Sequence, residues 1–372
     1  MRYLVISPGY PSENDKYNNG FVHSRVKLYL NKSLDVIVFS FTKGDLRKYE
    51  YEGVTVYTGG KAAYVKFLSE NSFDKYLIHF AYKKVMNPLL KIYPNAKMVI
   101  WVHGAEALGW YRRLFAFNVK KPHRFLGYIL LDTIQLNFMH KLIVSNYDIT
   151  FVFVSLWMKN ILEHDSHSVG KIKKYTIIPN VVDDEIFVYK KKLKDDRLNI
   201  LNIRSYQSKK YATDLMVKAI LELSHEPFFD KLKFNLYGDG RLFDKTLKPL
   251  RNFENVNIFR KFLNHNEISE AHKKNGIMLI PTRQDAQGVS MCEAMMSGLV
   301  PVTSNNTAIP EYVNNDCGYL ANNYRELAIA IKNMYYNSEE FLKKSKNAHN
   351  FIAKKCAPKI VTKQEIELIK GE

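Results

Sequence analysis

Cysteine is scarce. The chain has only Cys292, Cys317 and Cys356 in 372 residues. This odd set without CxxC spacing excludes a disulfide framework or a cysteine-built zinc site and predicts a reducing compartment. No uninterrupted apolar run reaches the roughly 18 residues that a membrane-spanning helix needs. The apolar stretch of the opening MRYLVISPGYP is too short for a secretory leader. These readings predict a cytoplasmic protein, at most peripheral on the inner face of the cell membrane. Fixed-period repeats and low-complexity tracts are missing. No GxGxxG follows the first apolar run, which argues against a dinucleotide-dependent dehydrogenase. No Asp-x-Asp pair stands where a divalent ion would bridge a diphosphate. Asp183, Asp184, Asp195 and Asp196 read as solvated acids of a connecting segment, so no metal is expected. Acids are in deficit, 37 Asp and Glu against 55 Lys and Arg, a formal charge of +18. Such an excess predicts an anionic partner: a phosphorylated substrate, an anionic membrane surface or nucleic acid. The scatter of the basic residues and the lack of any recognition-module pattern count against nucleic acid.

What is present is a long alternation of β-rich runs and helical patterns. The length exceeds one ordinary hydrophobic core, and 46% hydrophobic residues suffice for two α/β domains. YLVIS, DVIVFSF, KYLIHF, KMVIWVH and ITFVFVS are nearly continuous in Val, Ile and aromatics, as strands buried on both faces of a parallel sheet are. A second series follows: NILNI, KFNLYG, VNIF, GIMLIP, LVPVTS and GYLA. Between the two lies IPNVVDDEIFVYKKKLKDD, whose charged end marks a linker. The predicted organisation is 1–178 for the first domain, 179–196 for the linker, 197–352 for the second domain and 353–372 for a C-terminal helix.

Ligands of open parallel sheets bind beyond the carboxyl ends of the strands. Five segments there occur in a recognisable order: IIPNVVDDEIF, IRSYQSKKY, LYGDG, LIPTRQDAQGVSMCEAMMSGLVPV and IPEYV. Together they resemble the retaining glycosyltransferases of family 4, densely over the second half of the chain, while VHG and FVSLWMK extend the likeness into the first. The resemblance implies an α/β fold of GT-B architecture, two Rossmann-like domains with parallel sheets facing across a cleft. The nucleotide-sugar donor would lie on the C-terminal domain and the acceptor on the N-terminal one, with the last helix packing back on the first domain.

Gly288 opens a helix whose first N–H groups, at Val289 and Ser290, suit a diphosphate. Glu293 matches the second acid of the family's acid, seven residues, acid motif, and a carboxylate is a double acceptor suited to two ribose hydroxyls. Asp285 matches the first acid, which the family directs to the donor sugar, although glutamate is commoner there. The plain structural alternative is a helix-surface acid and a turn former. Arg204 and Lys209 match the basic pair that binds the donor diphosphate and can neutralise charge growing on the leaving group. The family usually has glycine before the arginine and after the lysine, where this chain has Ile203 and Lys210. Gly238, in LYGDG, joins the donor-binding set. His103 ends a strand, and the resemblance places its neutral imidazole beside the donor sugar. Gly20, before a helix, either lets a ligand approach the backbone or is an ordinary turn glycine. Phe262 is either a stacking platform for the base or core.

The stretch from Trp110 to Ile143 mixes Arg112, Arg113, Lys120 and Lys121 with aromatic and aliphatic residues. It reads either as a basic amphipathic segment on an anionic membrane at the acceptor side, or as a core helix. The expected activity is retaining, metal-independent transfer of a hexose or related sugar from a nucleoside diphosphate, UDP ahead of GDP. The acceptor would be a glycan or a polyprenyl-phosphate-linked acceptor, in bacterial cell-surface polysaccharide or glycoconjugate synthesis, and no cofactor is required. The competing readings are a sugar-nucleotide 2-epimerase of related architecture and a basic nucleic-acid-binding protein.

Overall fold

Strands rich in Val, Ile and aromatics hide both faces only when helices cover both sides of their sheet. The computed structural model, which describes residues 1–15, 18–117 and 122–371, has two such units, Met1–Asn180 with Val361–Glu372, and Val181–Ile360.

In the first unit the strands are β1 (Arg2–Ser7), β2 (Asp35–Phe41), β3 (Arg47–Tyr51), β4 (Val54–Gly59), β5 (Lys75–His79), β6 (Met98–Val102), β7 (Ile149–Phe153) and β8 (Tyr175–Ile177). They form one sheet in the order β3-β4-β2-β1-β5-β6-β7-β8. All pairings are parallel except β3 with β4. The helices are α1 (Gly20–Asn31), α2 (Lys61–Glu70), α3 (Lys83–Ile92), α4 (Pro122–Ile143) and α5 (Leu156–Asp165). The β3–β4 hairpin escapes the sequence reading because RKYEY and VTVYTG alternate apolar and polar residues. Its two-residue turn places Glu52 and Gly53 at φ 45° and 80°, the left-handed pair that suits the twist of a tight hairpin.

The second unit holds β9 (Asn199–Ile203), β10 (Lys233–Gly238), β11 (Val256–Arg260), β12 (Ile277–Leu279), β13 (Val300–Ser304) and β14 (Tyr319–Ala321), a sheet in the order β11-β10-β9-β12-β13-β14. Its helices are α6 (Thr213–Leu223), α7 (Phe243–Leu247), α8 (His265–Lys274), α9 (Val289–Met296), α10 (Tyr324–Tyr336) and α11 (Ser338–Cys356), followed by α12 (Pro358–Lys370). Side-chain alternation splits the core into two layers. Ile200, Ile277 and Leu279 pack with α6 and α10, whereas Leu201, Met278 and Ile280 pack with α9 and α11.

The segment expected as a linker is mostly part of this unit. The division falls at Asn180 and Val181. Val182 and Phe187 join the α9 and α11 layer, and buried Lys192 donates to the carbonyl of His272 at 2.6 Å. The apolar anchors within the charged run hold it down. From Val361 onward α12 belongs to the first unit. There the buried Glu365 receives the Arg25 Nε (2.8 Å), the Tyr29 hydroxyl (2.6 Å) and the Trp101 indole N–H (3.3 Å).

Candidate functional site

In the second unit Arg204 leaves β9 with its backbone N–H still bonded to the Tyr237 carbonyl of β10, at 3.1 Å. Its side chain is 8% exposed. One guanidinium nitrogen, Nη1, donates to Ser290 Oγ at 3.3 Å, and the group lies 5.3 Å from the centroid of the Tyr211 ring. Nε is buried and finds no partner among the described residues. Burial draws the pKa of Arg204 down, and the nearby Asp285 counters it. A buried charged donor left unpaired costs about 1–3 kcal/mol or more, which a bound anion would offset. Gly238, at φ 153°, allows this arrangement, because a Cβ there would run into the Arg204 carbonyl and the Tyr206 ring.

The loop after β12 shapes the start of α9. Asp285 Oδ1 accepts from the N–H of Gly288 (2.8 Å) and of Gln287 (3.4 Å), while its own N–H donates to Thr307 Oγ1 at 3.3 Å. The turn-former reading of Asp285 thus holds for one oxygen, and Oδ2 has no partner among the described residues. Gly288 takes the left-handed conformation, φ 79° and ψ 55°, and no side chain caps the helix after it. The N–H groups of Val289 and Ser290 have no described acceptor and sit at the positive end of α9. Glu293, one turn on, is partly buried and makes no hydrogen bond or ion pair among the described residues. Burial raises its pKa from 4.5 to about 7.

The structure brings Arg204, Ser290, Asp285, Gly238 and the α9 terminus together. Lys209 is exposed, and its Nζ makes no hydrogen bond or ion pair among the described residues. Its loop is fixed by a residue the sequence reading passed over. Arg283 donates from Nη1 to the Lys209 carbonyl at 2.7 Å and from its backbone to the Lys210 carbonyl at 2.9 Å. It also grips Asp214 with two bonds, 2.8 and 2.6 Å. Arg283 lies two positions before Asp285 in the same motif, which was the available signal. Phe262 is 63% exposed, so it is not core. A bridge between Gly238 and Lys261 puts it beside the end of β10.

In the first unit His103 follows β6. Its Nε2 lies 3.0 Å from Nδ1 of His79, at the end of β5, and its backbone N–H donates to Glu106 Oε1 at 2.8 Å. Glu106 is buried, and that burial lifts its pKa to about 7 against the pull of backbone N–H groups. Burial pushes both histidines well below the usual imidazole range. Neither His79 nor Glu106 was read as functional, because only the pairing of β5 with β6 reveals their proximity. Gly20 is the first residue of α1, and a Cβ there would meet nothing.

Arg112 and Arg113 correct the membrane-facing assignment. Arg112 grips the buried Asp165 from Nε and Nη2 at 2.7 and 2.8 Å. Arg113 donates to the Tyr128 hydroxyl and the Gly104 carbonyl, both at 2.8 Å. Arg112 is paired with a carboxylate and Arg113 is tied to neutral oxygens of its own domain. Lys120 and Lys121 lie outside the described residues. The core-helix reading of α4 holds for its second half, where Leu136, Met139 and Leu142 are buried, and fails for Leu126, Leu130 and Leu131, which are exposed. No helix among the described residues is long and apolar enough to cross a membrane, and no group of three or more His, Cys, Asp or Glu there is arranged to hold a metal ion.

Residues 197–337 match the family described as Glycosyl transferases group 1. No curated protein matches the chain. Among solved structures, sucrose-phosphate synthase from Thermosynechococcus elongatus is similar with a TM-score of 0.75 at 13% identity, over 100% of this chain and 98% of that one. Anabaena HepE in complex with UDP and glucose gives 0.71 at 14%, over 100% of both chains. A glycosyltransferase from Rickettsia africae gives 0.68 at 15%, over 100% and 98%. At these identities the likeness establishes the fold, which is GT-B with two Rossmann-like domains.

Proposed function

We propose that the chain is a retaining, metal-independent glycosyltransferase. It moves a hexose or related sugar from a nucleoside diphosphate, UDP ahead of GDP, to a glycan or polyprenyl-phosphate-linked acceptor. The setting is bacterial cell-surface polysaccharide or glycoconjugate synthesis, in the cytoplasm at the inner face of the membrane. The observation that carries this reading is the buried Arg204 guanidinium, with Nε unpaired, bonded to Ser290 at the uncapped start of α9. That arrangement is built for an anion. The family match over 197–337 and the UDP and glucose bound by HepE support a sugar diphosphate as that anion and UDP as its nucleotide.

In this reading Arg204, Lys209 and the Val289 and Ser290 N–H groups take up the charge that grows on the departing diphosphate. Glu293 accepts from the ribose hydroxyls. Asp285, with Oδ1 committed to its loop, turns Oδ2 to a hydroxyl of the donor sugar; on the first unit, His103 offers a hydrogen bond to a sugar oxygen. As the bond from the anomeric carbon to the diphosphate oxygen breaks, the acceptor hydroxyl attacks that carbon from the same face through an oxocarbenium-like state and passes its proton to the departing phosphate oxygen, so the anomeric configuration is kept. The test is a panel of nucleotide sugars with and without acceptors, with and without chelator. Arg204→Ala and Lys209→Ala are each expected to lower turnover by roughly 10²-fold or more while remaining folded. Wild-type rates in folded variants would remove the diphosphate clamp. A converted nucleotide sugar without any acceptor would favour the 2-epimerase.

A further inference from the structure

The carboxyl ends of β5 and β6 place two imidazoles in register. His79 is fully buried, stacked between Trp101 (centroids 4.9 Å, planes 22° apart) and His103 (5.2 Å, 21°). The 3.0 Å contact from His79 Nδ1 to His103 Nε2 holds one proton, so one ring donates and the other accepts. His79 Nε2 decides which. It is buried without a partner, and a proton there would make it an orphaned N–H, the rarer and costlier state, whereas a bare lone pair is tolerated more readily. The proton of His79 therefore belongs on Nδ1, where it is donated to His103 Nε2. His103 must then carry its own proton on Nδ1.

The surroundings support this assignment. Arg25 on α1 acts electrostatically on both rings, and burial with that charge keeps them neutral. Glu106 is engaged by the His103 backbone N–H, not by its ring, and Arg113 is bound to Tyr128 and Gly104. Phe80, between β5 and α3, stands at φ 63°, a left-handed conformation that strains a bulky residue. Its ring lies 4.5 Å from that of His103, and the Phe21 ring lies 4.9 Å away. Strain of this kind persists where surrounding structure and function demand it, and here it walls one imidazole into one orientation.

We propose that His79 is a positioning residue that fixes His103 as the Nδ1-protonated neutral tautomer, so that His103 presents a hydrogen-bond donor, and never an acceptor, to a sugar oxygen. The tautomer stands on the His79–His103 contact, the unpartnered His79 Nε2 and the burial of both rings; its use toward a sugar rests on the proposed function.

The experiment is a long-range proton–nitrogen correlation spectrum of the full chain labelled with 15N-histidine, assigned with His79→Asn and His103→Asn. Expected is a protonated-type Nδ1 and a bare Nε2 at His103, the reverse of the tautomer that predominates in water. A bare Nδ1 at His103 overturns the proposal whatever the activity. The functional arm compares His79→Asn, whose amide can donate from near the Nδ1 position, with His79→Leu, which cannot. The leucine variant is expected to lose about 10-fold or more in kcat with a smaller change in donor KM, because a wrong tautomer costs turnover, and the asparagine variant to recover most of it. Equal losses in both variants reduce His79 to packing and overturn its positioning role. If the leucine variant fails to fold, the wild-type spectrum still decides. The expected spectrum without transfer from any nucleotide sugar removes the proposed function and leaves the tautomer standing.

Discussion

Glu293 has a carboxyl group without a described partner and a pKa lifted to about 7 by burial. A carboxyl whose pKa rises on folding opposes the fold when ionised. The penalty is absent below the unfolded value near 4.5, grows as pH rises toward about 7 and is full above it. Glu293→Gln is therefore expected to raise Tm at about pH 8, the gain in unfolding free energy being at most roughly 3 kcal/mol, and to change Tm little at about pH 4. Thermal melts at the two pH values check this. Ribose hydroxyls that donate to the ionised group would pull its pKa back down, so donor binding would release a proton. Wild-type donor KM is then expected to rise as pH falls below about 7, and that of Glu293→Gln to be higher and flat with pH. A variant that matches the wild-type KM at about pH 8 assigns Glu293 to packing.

Elements were legible where one physical rule decided them. The eleven runs read as strands all lie on β-strands of the two sheets; for the central ones burial on both faces writes a continuous apolar stretch, whereas the edge strands β11 and β14 are half-exposed and were legible from their place in the alternation with helices. In the β3–β4 hairpin β3 is mostly exposed and β4 alternates buried and half-exposed residues, and the short β8 is exposed or half-exposed throughout, so none of them writes such a stretch. The loops that carry Arg204, Gly238, Asp285 and the start of α9 were legible as an ordered set of motif residues. The grip of Arg283 on Asp214 and the pairing of His79 with His103 were not, because each joins residues distant in sequence. Gly238 gives a test at this scale. A side chain there meets the Arg204 carbonyl and the Tyr206 ring, at a φ of 153°, so Gly238→Ala must move the end of β10 away from Arg204. A loss of about 3 kcal/mol or more is expected in denaturant unfolding, with nucleotide binding abolished in whatever remains folded. Gly20→Ala meets open space, and its stability is expected to stay within about 0.5 kcal/mol of wild type. If both alanine variants unfold alike, backbone approach is not what holds Arg204 in place.

Across the whole molecule the charge of +18 exceeds what one diphosphate requires, and Arg112 and Arg113 do not supply its outward part. Burial pushes the Asp165 carboxyl up, but bonds from Arg112, Tyr111 and the Gly109 N–H hold it below the usual range. Its contribution to stability is thus present above the unfolded carboxyl pKa and lost as pH falls through the lower folded one. Arg112→Gln removes that carboxylate's paired cation, leaving the Tyr111 and Gly109 bonds, and is expected to cost about 3 kcal/mol near neutral pH, without weakening membrane binding. The better candidate for an anionic bilayer is α4. Leu126, Leu130, Leu131 and Ile134 are 66, 62, 69 and 42% exposed, and their spacing puts them on one helical face. On the same unit Lys83, Lys91 and Lys141 line a groove of about 420 Å³ between α3 and α4. Apolar residues beside lysines gain from both acyl burial and headgroup attraction, whereas a second copy of so basic a chain would be repelled. In liposome sedimentation the wild type is expected to bind anionic vesicles, less so at high salt. Leu130→Ser with Leu131→Ser is expected to bind about 10-fold or more weakly with Tm unchanged, since both residues are exposed. Wild-type protein that ignores anionic vesicles, or a double variant that binds as well as wild type, would move the acceptor from the bilayer into solution.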